Sequence, residues 1–211
     1  MVSAVFRQVR GGEYPPSGSD VSRELTIRDY DDDDWEAICR VHDRARPLEF
    51  RGHPGFADGC RIRTLAEAAE EDGFFRSRTA VALWAARGIV AFASVDGTYL
   101  GFLYVDPEFH RRGVGRALLR HVTAWMGAEG YTTVAATNAP AIALYLSAGM
   151  EVACRFPGEA EGVGGECVRL AFPTSRHRRR PGRPTPLALR LEAERRGVPV
   201  EALPQEWPPE H

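Results

Sequence analysis

Three β-type runs, TAVALWAA at 79–86, IVAFASV at 89–95 and TYLGFLYV at 98–105, follow one another with only Arg87-Gly88 and Asp96-Gly97 between them. Tight glycine-containing connections of this kind close β-hairpins, so the spacing predicts an antiparallel meander over residues 79–105. The remaining segments have to be fitted around that frame.

Upstream, ELTIRDY (24–30) reads as a short strand and as the start of the fold. It runs into DDDDWEAICRVHDRAR (31–46), where Trp35, Ile38, Cys39 and His42 recur at helical spacing while the aspartates cap and charge the helix N-terminus favourably. The proline and glycine punctuation of PLEFRGHPGFADGC (47–60) marks a loop, and RIRTLAEAAEEDGFF (61–75) a second helix; together they are placed to overhang a site. Downstream, Val114, Ala117, Leu118, His121, Val122 and Trp125 share one helical face, with Gly127 or Gly130 as terminator. YTTVAAT (131–137) is a strand. In NAPAIALYLSAGM (138–150) Pro140 suits a first helical turn, Ala141, Leu144, Tyr145 and Ala148 share a face, and Gly149 ends the helix. EVACRF (151–156) and ECVRLAF (166–172) close the domain as two last strands. The order predicts a mixed α/β sheet layered with helices.

With 211 residues, 44% of them hydrophobic and 27% charged, the chain suits one globular domain, expected at 24–172, between a flexible lead-in at 1–23 and an extension at 173–211. It contains no lysine; 27 arginines against 29 acidic residues leave a formal charge of −2, which names no partner. Cys39, Cys60, Cys154 and Cys167 stand far apart, with no C-x-x-C pair and no H-E-x-x-H run, which argues against a zinc site and for reduced thiols; no metal is expected. Neither a signal-peptide core nor an 18-residue apolar run is present, and the expected location is the cytoplasm, with no membrane partner.

The loop in VDPEFHRRGVGRALLRH (105–121) joins the third strand of the meander to a helix through two glycines. A helix N-terminus behind glycines offers free amides and partial positive charge to a phosphate, and Arg111, Arg112 and Arg116 add charge there; the alternative is a bare strand-to-helix turn. The dinucleotide pattern G-x-G-x-x-G fails at Leu118, and G-x-x-x-x-G-K-[ST] cannot occur without lysine.

YLGFLYVDPEFHRRGVGRALL (99–119) followed by NAPAIALYLSAGM resembles the two core motifs of the GNAT superfamily of acyl-CoA-dependent N-acetyltransferases. HRRGVG matches the glycines of the loop motif Q/R-x-x-G-x-G/A with His110 in its first position, and the second motif is matched at Asn138, Ala141, Leu144, Tyr145, Gly149 and Met150. The resemblance implies a mixed, mostly antiparallel central sheet of about seven strands, splayed in the middle and flanked by about four helices, with acetyl-CoA as cosubstrate. It implies that backbone amides of His110, Arg111, Arg112, Gly113, Val114, Gly115 and Arg116 grip the pyrophosphate. By the same resemblance the Leu103 amide polarises the acetyl carbonyl, the Val105 amide pairs with pantetheine, Asn138 contacts the pantetheine arm and Tyr145 is the general acid. Asn138 also reads as a helix N-cap.

Acetyl transfer to an amine further needs a route for the amine proton. The family's histone-modifying members carry a glutamate where this chain has Tyr99. The candidates are a water chain ending at Asp96, Tyr99, or a loop acid such as Glu49 or Asp58, the alternative being an amine that arrives largely neutral; the water-mediated route ranks first. His53 and His110 read as loop or capping residues and His121 as core. Arg44, Arg46, Arg51, Arg61 and Arg63 are placed either to grip an acceptor carboxylate or to lie solvated. Ribosomal-protein N-terminal acetyltransferases of the superfamily carry an acidic residue where Thr133 stands here, so the expected acceptor is the amine of a small molecule or amino acid. A protein N-terminus, an aminoacyl-RNA, or a non-catalytic adaptor that binds nucleic acid through the arginines of 176–183 are the alternatives. The helix expected at 187–197, with Leu203 and Trp207 beyond it, offers a contact to the domain or to a second subunit.

Overall fold

A computed structural model describes residues 24–53, 56, 61–178, 189–190, 193 and 197–202. The expected lead-in, Asp58, Cys60, Leu203, Trp207 and most of the arginine-rich and helical extension lie outside these residues.

The meander forms in the expected places. β1 (Leu25–Asp29) pairs antiparallel with β2 (Arg78–Trp84), β2 with β3 (Gly88–Asp96), and β3 with β4 (Tyr99–Val105). Every residue of β3 from Ile89 to Val95 is buried, as a central strand covered on both faces requires. One cover is α1 (Trp35–Glu49), whose Ile38 and Val41 join Leu65, Phe74, Val81, Phe92 and Phe102. The other is α3 (Val114–Met126) with α4 (Ala139–Ser147), which pack Leu118, Val122 and Tyr145 against Ala91, Ala93 and Leu100. α2 (Leu65–Ala68) is a short helix beside α1. The sheet continues through β5 (Tyr131–Ala135), β6 (Glu151–Ala160) and β7 (Val163–Ala171), in the order β1-β2-β3-β4-β5-β7-β6. Among the described residues this makes seven strands and four α-helices, with one parallel pairing.

Two irregularities shape the middle of the sheet. Ser94 pairs with Phe102 and Val95 with Leu100, so Gly101 is an extra residue in β4, a β-bulge. The bulge reverses the alternation: Leu103 and Val105 face α3 and α4, as Leu100 does on the other side of Gly101, while Phe102 and Tyr104 face α1. Second, β4 and β5 are paired at Tyr99 and Tyr131 alone. Tyr131 N donates to Thr98 O (3.0 Å) and Thr132 Oγ1 to Leu100 O (2.8 Å); beyond that point the strands part.

The elements differ from the sequence expectation in four places. α1 does not stop before Pro47 but carries it in its last turn, ending at Glu49; an Arg46 to Glu49 ion pair (2.8 Å) braces that turn. The helix expected at 61–75 shrinks to Leu65–Ala68, held by a Thr64/Glu67 capping box, because Gly73 turns at φ 80° and Phe74–Arg76 form a 3-10 turn. β6 and β7 run longer than expected, as a hairpin closed by Glu161 and Gly162, both at positive φ. Pro157 is tolerated because β6 is an edge strand. His121 is half-buried against Trp125 rather than in the core; Leu119 and Met126 take the buried positions.

The start of the extension is docked. Ser175 Oγ donates to Glu129 O (2.9 Å), the Arg176 amide to Glu129 Oε2 (2.8 Å), and the His177 ring stacks on Tyr131 at 4.2 Å.

Phe92 is fully buried and meets the rings of Phe74, Phe102 and Tyr104. Phe92→Ala is expected to cost about 3–5 kcal/mol, read as a lower urea midpoint at unchanged m-value.

Candidate active site

The divergence of β4 from β5 opens a cleft of about 1420 Å³ that reaches from the loop before α3 to the β6–β7 turn. Its chemistry changes along its length.

At the α3 end the backbone supplies the functional groups. Arg111 (φ 63°) and Gly113 (φ 80°) turn the chain left-handed, and Gly113 is an N-cap that carries no side-chain cap. The first helical bond is Ala117 N to Gly113 O (3.0 Å), so the amides of Val114, Gly115 and Arg116 have no partner within the helix. A Cβ on Gly115 would meet Val105 and Leu144 at ordinary contact distances, 3.4 and 3.5 Å, so the position has room for a methyl group and none for a larger side chain. The His110 ring nitrogen Nε2 donates to Val105 O (2.8 Å), tying the loop back to β4. His110, Arg111, Gly113, Val114, Gly115 and Arg116 all line the cleft. Arg112 does not: its guanidinium lies over Phe109 and Trp84, at 5.5 and 5.8 Å from the ring centres. Uncapped amides at a left-handed turn of this kind suit a pyrophosphate.

In the middle, Leu103, Val105, Asn138 and Tyr145 line the walls. Asn138 Oδ1 accepts from Ala141 N (3.2 Å), so it is the N-cap of α4 as well as a cleft residue. Tyr145 is buried, with Thr132 beside it. Burial, reinforced by the charge of Glu49, pushes its phenol well above the usual tyrosine range, so it is a neutral O–H donor at physiological pH.

The far end lies on the α1 side of the bulge. Glu49 lines the cleft there because α1 continues through Pro47. Its Oε2 accepts from Tyr104 Oη (2.9 Å) and from Arg46 (2.8 Å), and Arg46 also donates to Tyr104 Oη (2.8 Å). Burial pushes the Tyr99 phenol up to about 12, with Tyr131 adding to the shift. Glu161, from the β6–β7 turn, accepts from Arg46 (3.1 Å) and from Arg63 (2.9 Å). Burial opposes the charge on Arg46, yet Tyr104, Glu49 and Glu161 more than offset it and the guanidinium stays protonated. Thr133 also faces the cleft.

Other candidates stand apart from the cleft or are already engaged. Asp96 is exposed at the β3–β4 turn, where the sequence put it, and is not a cleft residue. Of the five arginines of 44–63, four are paired with the chain's own acids, Arg44 with Asp106 and Glu108, Arg46 with Glu49 and Glu161, Arg61 with Glu67, and Arg63 with Glu71 and Glu161, while Arg51 is exposed and lines the cleft. Sequence reasoning missed Glu161 and the bulge; the lone Gly101 inside a strand pattern was the available signal for the latter.

The model of the acetyltransferase (GNAT) family matches residues 35–150. A stretch of 63 residues is 44% identical to the [ribosomal protein bS18]-alanine N-acetyltransferase of Salmonella typhimurium, taking in 28% of this chain and 43% of that protein. The chain thus matches less than half the length of this curated relative. Among solved structures, the ribosomal-protein alanine N-acetyltransferase of Escherichia coli is similar at a TM-score of 0.54 and 24% identity, over 72% of this chain and 94% of that one. A structure from Salmonella typhimurium with its cofactor acetyl-CoA gives 0.50 and 20% identity, over 70% and 92%. These two are likenesses of fold.

Gly115→Val places a branched side chain against Val105 and Leu144. Its expected effect is a loss of coenzyme A affinity of at least about tenfold, or 1.4 kcal/mol, by isothermal titration. An unchanged dissociation constant would separate Gly115 from the pyrophosphate site.

Proposed function

The chain belongs to the acetyltransferase (GNAT) family, and on that premise we propose that it moves the acetyl group of acetyl-CoA onto the primary amine of a small molecule or amino acid by direct attack. The observation that carries this reading is a neutral phenol, Tyr145, and a carboxylate, Glu49, opening into one cleft at the splay of β4 and β5. Bound acetyl-CoA supplies the thioester and a thiolate leaving group.

The chain's own residues then divide the work. The amides of Val114, Gly115 and Arg116 and the cationic loop around them bind the pyrophosphate, with the Arg112 side chain contributing nothing beyond its backbone. The edge of β4 at Leu103 and Val105, left without a strand partner by the splay, bonds the pantetheine and the acetyl carbonyl through its backbone. Tyr145 donates its proton to the departing sulfur. The amine proton leaves through water to Glu49, whose Oε2 is anchored by Arg46 and Tyr104. Tyr99, with its phenol raised to about 12, stays protonated and serves as an acceptor wall rather than as a base. Asp96, exposed at its turn, takes no part.

The naming of the bS18-alanine N-acetyltransferase relative favours a second reading, in which the acceptor is a protein N-terminus. Thr133 in place of an acidic residue speaks for the small amine. The tail offers less to nucleic acid than its composition suggests, since Arg178 is paired with Glu151 (2.9 Å). Among the described residues no helix is long and apolar enough to cross a membrane; a cytoplasmic site of action is part of this reading.

Isothermal titration with acetyl-CoA, followed by thiol release against amines, amino acids and peptides, tests the reading; absence of acetyl-CoA binding would end it. Tyr145→Phe is expected to lower kcat by about 10²- to 10⁴-fold at unchanged acetyl-CoA affinity, and equal turnover would remove Tyr145 from the mechanism. The raised phenol gives a further expectation. Its acid form persists to higher pH than in free tyrosine, so kcat should rise with amine deprotonation and show no descending limb below about pH 10. In Glu49→Gln the loss should be largest near neutral pH and shrink at high pH, where solvent has already deprotonated the amine; a pH-independent loss would argue against its role in proton removal.

A further inference from the structure

Glu161 is an anomaly in its own hairpin. It occupies the first turn position at φ 52°, where glycine or asparagine is the usual occupant, and its side chain is only 2% exposed although it sits at the end of an arm. Both carboxylate oxygens are used: Oε1 accepts from Arg46 on α1 and Oε2 from Arg63, just ahead of α2. Arg46 in turn holds Glu49 and Tyr104 at the acceptor end of the cleft. Beside this tie runs another. The His53 ring, past the end of α1, lies so close over Gly165 of β7 that a Cβ at that position would overlap the imidazole. The two walls of the cleft's acceptor end, α1 with its following chain and the β6–β7 arm, are thereby fastened to each other.

We propose that Glu161 is a specificity-determining latch which, by binding the β6–β7 turn to Arg46 and Arg63, admits a small primary amine to the cleft and turns away a polypeptide N-terminus. The proposal rests on the acetyl-transfer reading. A peptide reaching Glu49 and Tyr99 has to carry its backbone out between the two walls, and so has to part desolvated ion pairs whose charges would be left buried and uncompensated. A small amine passes without disturbing them. Discrimination therefore comes from what the larger acceptor must break, not from contacts that the smaller one gains.

The test compares kcat/KM from thiol release for n-butylamine, ethanolamine and 1,4-diaminobutane with that for hexapeptides beginning in Ala, Ser or Met. It uses the full chain, with acetyl-CoA affinity measured for every variant. The wild type should favour the amines. Glu161→Ala should lower the amine-to-peptide ratio at least about tenfold, through a smaller KM for peptide. Arg63→Met, cutting the Oε2 half of the tie from the other side, should move the ratio in the same direction and no further than Glu161→Ala, and the double variant should match Glu161→Ala, which already removes both pairs. Where Glu161→Ala fails to bind acetyl-CoA as wild type does, Glu161→Gln makes the same comparison. A ratio unchanged in variants that bind acetyl-CoA normally overturns the latch and leaves the acetyl-transfer reading standing, as does a wild type that prefers peptides. Normal acetyl-CoA binding without thiol release on any acceptor overturns the transfer reading, and the latch with it.

Discussion

The pairing of β4 with β5 at a single residue position, Tyr99 with Tyr131, is the constraint on which the rest of the molecule depends. Two parallel strands that start side by side and then part leave a row of backbone donors and acceptors facing each other across a gap, and buried backbone groups of that kind need partners. The structure closes the narrow end with side chains: Thr132 bonds Leu100 O, the His177 ring of the docked tail stacks on Tyr131, and the Tyr99 ring lies tilted against Tyr131. At the wide end α3 sets its first turn beside β4, with Gly115 facing the side chains of Val105 and Leu144. What lies between is a slot with an extended backbone edge along one side and free helix amides at its mouth, suited to an extended cofactor with a pyrophosphate at one end.

The bulge at Gly101 gives that slot two chemically different sides. Were β4 regular, Tyr99 would fall on the same face as Leu103 and Val105 and would be turned toward α3 and α4, where Tyr145 sits. The extra residue reverses the alternation and puts Tyr99 with Tyr104 on the α1 side, within the field of Glu49. A neutral hydroxyl acid and a carboxylate are thus held on opposite sides of one splayed sheet. The helices α4 and α1 bring those two groups from opposite faces, and the bulge decides which of them Tyr99 joins.

The parts of the fold that could be read from the sequence are those in which local pattern and tertiary demand agree. The meander has period-2 runs and glycine turns, and α3 and α4 have apolar faces and glycine ends, so each was visible without its neighbours. What was hidden depended on context. Pro47 is a break signal, but in the last turn of α1 it loses a single hydrogen bond, and the Arg46–Glu49 pair keeps the turn closed. Pro157, Gly158, Gly164 and Gly165 read as loop, yet as an edge arm β6–β7 needs no donor at Pro157 and needs no side chain at Gly165, where His53 arrives from elsewhere in the chain. The helix expected at 61–75 had helical composition but was cut short by Gly73, whose left-handed backbone turns Phe74 into the core. For the candidate site, the glycine loop was legible because backbone does its work; Glu49 was named as a candidate, but as a loop acid and not as the last residue of α1, and Glu161 was missed, because what brings it to the cleft is the unexpected length of the hairpin.

The same two extensions explain why the acceptor end is built from ion pairs in a place where ion pairs are costly. Arg46 is a buried cation, and leaving it alone there would carry a desolvation penalty that a surface position would not. Glu49 alone could neutralise it, but then the carboxylate best placed toward the cleft would be fully committed. Glu161 changes that balance: it takes the second guanidinium nitrogen of Arg46 and shares the remaining charge with Arg63, which is itself held by Glu71. Although burial opposes the charge on Glu161, the two arginines hold it below the usual carboxylate range, so it stays ionised and the cluster keeps its shape near neutral pH. Glu49 then needs only Oε2 for structure, through Arg46 and Tyr104. The latch at the arm and the carboxylate at the reaction centre are therefore one electrostatic unit, and a change that loosens the arm should alter how strongly Arg46 draws on Glu49 as well as how wide the cleft stands.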